Sequence, residues 1–90
     1  MTTRSSSAFF KDQVTLTLTT AFQVVDFGFN SIKVFIANDH ATNYIEYSID
    51  GTNVHGRLKG LEQRDMPDRL LSRIYLRGQV GGETFRVEIY

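Results

Sequence analysis

Apolar and polar residues alternate with a period of two in five stretches of the chain. Val14-Thr15-Leu16-Thr17-Leu18-Thr19 is the most regular, and 31–36, 44–49, 73–77 and 84–89 follow it. Side chains on a strand point alternately to opposite faces, so each stretch offers one face to a core and one to water. The first strand is expected near Val14 to Ala21, with Val14, Leu16 and Leu18 inward. A second, shorter one is expected over Phe22 to Phe27. Gly28 and Asn30 then tolerate the left-handed backbone of a turn. The loop 38–43 is predicted to join Ile32–Ala37 and Tyr44–Ile49 as a hairpin, and Asp50-Gly51 is a strong turn signal. Val54–Leu58 and Gly60–Glu62 read as weaker strands interrupted by glycine. Residues 63–71 form one long polar excursion in which Pro67 suits the first position of a helical turn. Ile74–Arg77 and Thr84–Tyr90 are predicted to close the chain as a hairpin across Gly78–Gly82.

Seven or eight short strands, spaced about 8–12 residues apart, predict an all-β fold. A single small β-sandwich, jelly-roll-like or Greek-key and antiparallel, comes first. A five-stranded oligonucleotide-binding barrel comes second. Residues 12–90 are assigned to the sandwich. Residues 1–11 are assigned to a flexible arm, because Thr2 to Ser7 is small and polar.

Composition narrows the function. At 90 residues there is room for one domain, and its core is thin. Cysteine is absent, which excludes disulfides, thiolate metal sites and a cysteine nucleophile. Small β domains without such staples often lean on oligomerisation. Ten basic and ten acidic residues cancel, so the net basic footprint of a nucleic-acid binder is missing. No apolar run approaches the ~20 residues of a membrane helix, and the N-terminus lacks the apolar stretch of a secretory signal. Neither membrane nor nucleic-acid partners are expected, nor any cofactor.

Few residues suggest chemistry. Asp39, His40, Asp50 and His55 match no zinc spacing and read as solvated turn and strand residues. Glu46, Glu62 and Glu88 would be needed as a close pair for glycoside chemistry. Glu46 and Glu88 instead fall on the polar phase of their strands, where carboxylates are usually solvated cross-strand partners. No Gly-x-Ser-x-Gly elbow or phosphate-binding loop occurs, so no enzyme is expected. Tyr44, Tyr75 and Tyr90, with Asp39 or Asp50 nearby, would suit a sugar-stacking platform. The same tyrosines beside Arg57, Lys59, Arg73, Arg77 and Arg86 would suit single-stranded nucleic acid.

Phe29-x-Ser31-Ile32-x-Val34-x-Ile36-x-Asn38-Asp39, Ile45-x-Tyr47-Ser48-x-Asp50-Gly51, Arg73-Ile74-Tyr75-Leu76-Arg77-Gly78 and Phe85-Arg86-Val87-Glu88-Ile89-Tyr90 occur in that order. Together, over about residues 22–90, they resemble a pattern in small virion proteins of tailed bacteriophages. The resemblance implies a β-sandwich that decorates or cements a capsid, or sits at a head–tail or tail position. It also implies self-association, as a trimer, and contact with the major capsid protein. The expected location is then the virion, assembled in a host cytoplasm, with no catalytic residues. Aromatics and arginines are enriched at contact hot spots, so Phe9, Phe10, Phe22, Arg64 and Arg69 are the expected contact residues. A tail component binding carbohydrate or a receptor is the first alternative, and a single-stranded nucleic-acid-binding barrel the second.

Overall fold

The computed structural model describes the backbone of residues 11–13, 17–67 and 70–89, and side chains of 17–66 and 70–89. Eight strands follow in chain order: β1 Lys11–Gln13, β2 Gln23–Asp26, β3 Lys33–Asn38, β4 Ile45–Ser48, β5 Gly56–Leu58, β6 Gln63–Pro67, β7 Arg73–Gly78 and β8 Phe85–Ile89. They form two four-stranded sheets, β1-β8-β3-β6 and β2-β7-β4-β5, with every pairing antiparallel. This order is that of a jelly roll, the first of the two sandwich types expected. No helix among the described residues is long and apolar enough to cross a membrane.

Alternation sets the faces as the sequence predicts. Val34 and Ile36 of β3, Phe85, Val87 and Ile89 of β8, and Met66 of β6 are buried on the inner face of the first sheet. Val25, Ile74, Leu76, Ile45, Tyr47 and Leu58 meet them from the second. Leu18 is buried with this core while Thr17 and Thr19 are exposed, as the Thr-Leu-Thr alternation requires. Val14 and Leu16 lie outside the described residues.

The connections differ from the expected hairpins. Among consecutive strands only β4 and β5 pair, across the Asp50-Gly51 turn, where Gly51 has φ +82°. β3 and β4 lie in opposite sheets, and so do β7 and β8, so segments 39–44 and 79–84 cross between sheets. Residues 60–62 form a turn rather than a strand. β6 extends through Pro67, where a helical turn was predicted. Proline is tolerated there because β6 is an edge strand.

The β5/β6 side of the sandwich is closed by side chains. Tyr47 of β4 lies over Gly56 of β5, its register partner, and a Cβ at Gly56 would collide with the Tyr47 ring. The Tyr47 hydroxyl accepts a hydrogen bond from Arg64 Nη1 at 3.2 Å. Arg64 pairs with Ile36 at an inward position of β6. An inward-pointing charge on an edge strand opposes addition of another strand. Gly56→Ala forces Tyr47 out of its place. We expect a loss of about 1–3 kcal/mol, the usual cost of overpacking, read as a lower urea midpoint with an unchanged slope.

Candidate functional site

Two surfaces gather residues with binding chemistry. The first is the outer face of the β2-β7-β4-β5 sheet. Register places Arg77 of β7, Glu46 of β4 and Arg57 of β5 side by side. Glu46 Oε2 accepts from Arg57 Nη2 at 2.7 Å and Nε at 3.1 Å, while Oε1 accepts from Arg77 Nε at 2.8 Å. The Arg57 guanidinium stacks on Tyr44 at 3.9 Å and that of Arg77 on Phe22 at 4.4 Å. The five side chains make one row, Tyr44–Arg57–Glu46–Arg77–Phe22, beside the exposed Val24.

Glu46 thus departs from the solvated carboxylate that its polar phase predicts. Its side chain is only 8% exposed, covered by its two arginine partners. Burial alone would raise its pKa. Hydrogen bonds and charge from Arg57 and Arg77 outweigh that and hold it below its ordinary value. An anion satisfied by two fixed guanidiniums is a structural clamp, and it leaves the row with one excess positive charge.

The second surface is one end of the sandwich, where segments 17–22, 39–44, 59–62 and 79–84 meet. Asn38, buried on β3, shares its two amide hydrogens among the carbonyls of Asn43, Leu58 and Lys59 at 2.8, 3.1 and 3.0 Å. Its Oδ1 accepts from His40 N at 2.9 Å. Glu83, also buried, accepts from Gly81 N, Val80 N and Asn43 Nδ2 at 2.9, 3.0 and 3.0 Å. Its carboxylate packs on Gly78, where a Cβ would collide with it. Burial again opposes ionisation, but the Val80 amide, its own amide, Asn43 and the Gly81 amide lower its pKa overall. Leu18 N donates to the Glu83 carbonyl at 3.0 Å and Gly82 N to the Leu18 carbonyl at 2.8 Å, which ties segment 17–22 to segment 79–84.

The remaining candidates are dispersed. Glu46 is on one outer face, Glu88 on the other, and Glu62 folds back onto Lys59 N in a turn. The three therefore supply no close carboxylate pair. Asp39 and His40 lie at the loop end just described, whereas Asp50 and His55 lie at the opposite end. His40 is half-buried rather than solvated, and its Nδ1 accepts from Thr42 N and Asn43 N. Asp50 is a turn anchor, held well below the usual carboxylate range by the Asn53 and Thr52 amides. Among the described residues, no group of three or more His, Cys, Asp or Glu side chains is placed to hold a metal ion.

Tyr44 and Tyr75 share the outer face of the second sheet, but Arg57 takes one face of Tyr44, and Tyr75 lies against Gly51. Arg57, Arg73 and Arg77 are on that face too. Arg86 is on the other, paired with Asp39 at 3.1 Å, so the five basic residues form no single groove. Of the expected contact residues, Phe22 belongs to the row. Arg64 lies on a strand rather than in a loop and is committed to Tyr47. Phe9, Phe10, Arg69 and the candidate Tyr90 lie outside the described residues. The loop end has little signal in the sequence, because Asn38 reads as a turn residue and Glu83 falls between a glycine turn and a strand. The one signal is the position of Asn38, which alternation puts in phase with Val34 and Ile36.

Comparison of the chain with protein-family models, with curated proteins and with solved structures finds no match.

Both Glu46 and Glu83 have folded-state pKa values below the ordinary 4.5. Groups of this kind stabilise the fold fully above the unfolded pKa, and that stability is lost as pH falls through the folded value. Wild-type stability is therefore expected to drop below about pH 5. Glu83→Gln should be less stable at pH 7 and show a shallower decline over the same acid range, checked by urea melts at successive pH values.

Proposed function

We propose that this chain is a non-enzymatic structural protein of a tailed-phage particle, a head decoration (cement) protein that binds and stabilises the major capsid lattice. It works mechanically, as a rigid wedge that covers contacts between capsid subunits, and it self-associates, as a trimer. The observation that carries the reading is the outer face of the second sheet. There a row of stacked aromatics and arginines stands beside exposed Val24. Aromatic and arginine side chains are the usual anchors of protein contacts. A jelly roll is a common capsid architecture, and the ordered motifs from Phe29 to Tyr90 add the family resemblance. Fold alone does not fix function, so the weight rests on the surface.

Phe22, Arg57 and Arg77 are the contact residues this reading selects. A persistent contact needs about 1,000 Å² or more of buried surface.

Quantitative mass spectrometry of purified particles, counting this chain per major capsid subunit, tests the reading. A copy number comparable to that of the capsid protein is expected. A handful of copies would move the chain to the neck or tail and favour receptor or carbohydrate binding. Absence from particles would overturn the structural reading.

A further inference from the structure

The row on the outer face of the second sheet is one anion short. Arg57 gives Nε and Nη2 to Glu46, and Arg77 gives only Nε. A guanidinium presents its N–H donors in one plane, along its edges. Nη1 of Arg57 and both Nη groups of Arg77 have no acceptor among the described residues. Tyr44 covers one face of the first guanidinium and Phe22 one face of the second, which leaves the edges open. The two arginine side chains are 54% and 33% exposed, whereas that of Glu46 is 8% exposed. An approaching molecule therefore meets guanidinium edges before it meets the carboxylate beneath them.

Nothing nearby cancels this charge. Asp26 is on the same face, but register sets it opposite Arg73, with Tyr75 and Val24 between that pair and the row. Arg73 and Arg77 are four residues apart on β7, about 13 Å along an extended strand, which exceeds the screening length of about 10 Å at 0.1 M salt. The other described acids are committed elsewhere. Asp39 pairs with Arg86 and Asp65 with Lys33. Asp50 and Glu62 accept from their own turns, Glu83 is buried, and Glu88 is engaged within the chain. A second copy thus offers the row no uncommitted carboxylate among the described residues. A nucleic acid suits it poorly too, because a phosphate backbone calls for cations strung along one path. Arg86 is on the other sheet, and Arg64 is held by Tyr47.

We propose that the row is a seat for a carboxylate of a different protein: an acidic side chain of the partner lies across the Nη groups of Arg57 and Arg77, and an apolar side chain beside it rests on Val24. This rests on the reading of the row as the particle contact and names the chemistry the partner brings to it. Guanidinium edges and carboxylates match through parallel N–H···O bonds. Arg77 and Tyr75 are two residues apart, and Val24 is the register partner of Tyr75. That step of about 7 Å equals the spacing of alternate residues in an extended segment. An acidic residue followed two positions later by an apolar one fits the face.

The test adds the purified full-length chain to particles assembled without it. Bound copies are measured against concentration at about 0.1 M and about 1 M salt. Val24→Lys, Val24→Gln and Val24→Glu change the charge beside the row at a half-exposed position and leave the clamp intact. Gln63→Lys and Gln63→Glu make matching changes on the outer face of the first sheet. At low salt, affinity should fall in the order Val24→Lys, Val24→Gln, Val24→Glu, by about tenfold across the series, and the spread should shrink at high salt. Both Gln63 variants should bind like wild type. Arg77→Lys keeps the charge and loses the planar fork, so it should bind about tenfold more weakly with little change in Tm. Equal binding by the three Val24 variants, with wild type bound, overturns the seat and leaves the particle reading standing. The reverse order, with Val24→Glu tightest, overturns it in the same way. Loss of binding after nuclease treatment of the particles replaces the protein carboxylate with phosphate and overturns it too. If the charge order appears in self-association measured by sedimentation and not on particles, the occupant is a second copy and the seat for a different protein is overturned. Wild type that binds no particles overturns the seat and the particle reading together.

Discussion

Two buried polar side chains hold one whole end of this sandwich in place. A jelly roll sends the chain from sheet to sheet at each end, and such connections lack the ladder hydrogen bonds that a hairpin supplies. Asn38 and Glu83 replace them. Between them they bind backbone or side-chain groups of segments 39–44, 59–62 and 79–84, and the Leu18–Gly82 and Leu18–Glu83 bonds bring in segment 17–22. Burying an amide and a carboxylate is unfavourable unless their hydrogen bonds are made. Here they are made, and no described buried side-chain polar atom lacks a partner. In a 90-residue domain without disulfides, polar groups carry part of the task that a larger core would perform.

The same economy shapes the exposed row. On the outer face of the second sheet, Glu46 fixes Arg57 and Arg77, and each arginine is flattened on an aromatic ring. The arginines therefore lose little conformational freedom if a partner covers them. On the β5/β6 side, Arg64 and Tyr47 close the gap between the sheets and discourage strand addition.

Much of the architecture was legible in the sequence. The period-two alternation located most strands and gave each one core-facing side, and Val34, Ile36, Ile74, Leu76, Val87 and Ile89 lie on those sides, because burial on one face is a local property. Strand partners were not legible. Asn38-Asp39 and Gly81-Gly82 carry the same turn chemistry whether the chain folds back beside itself or crosses to the other sheet, so two crossovers read as hairpins. Pro67 signalled a helix start as readily as an edge strand. Glu46 looked solvated because strand phase gives the direction of a side chain but not what lies over it.

With Asn38 and Glu83 in place the loop end is as rigid as the sheets, and native-state hydrogen exchange measures that directly. The amides of His40, Leu61, Val80, Gly81 and Gly82 each have an acceptor at this end. If Asn38 and Glu83 lock the end, these amides exchange with protection close to that of the β3 and β8 strand amides, through openings near the global unfolding free energy. Exchange of these amides at the rates of an open loop, with the strands still protected, would contradict the account.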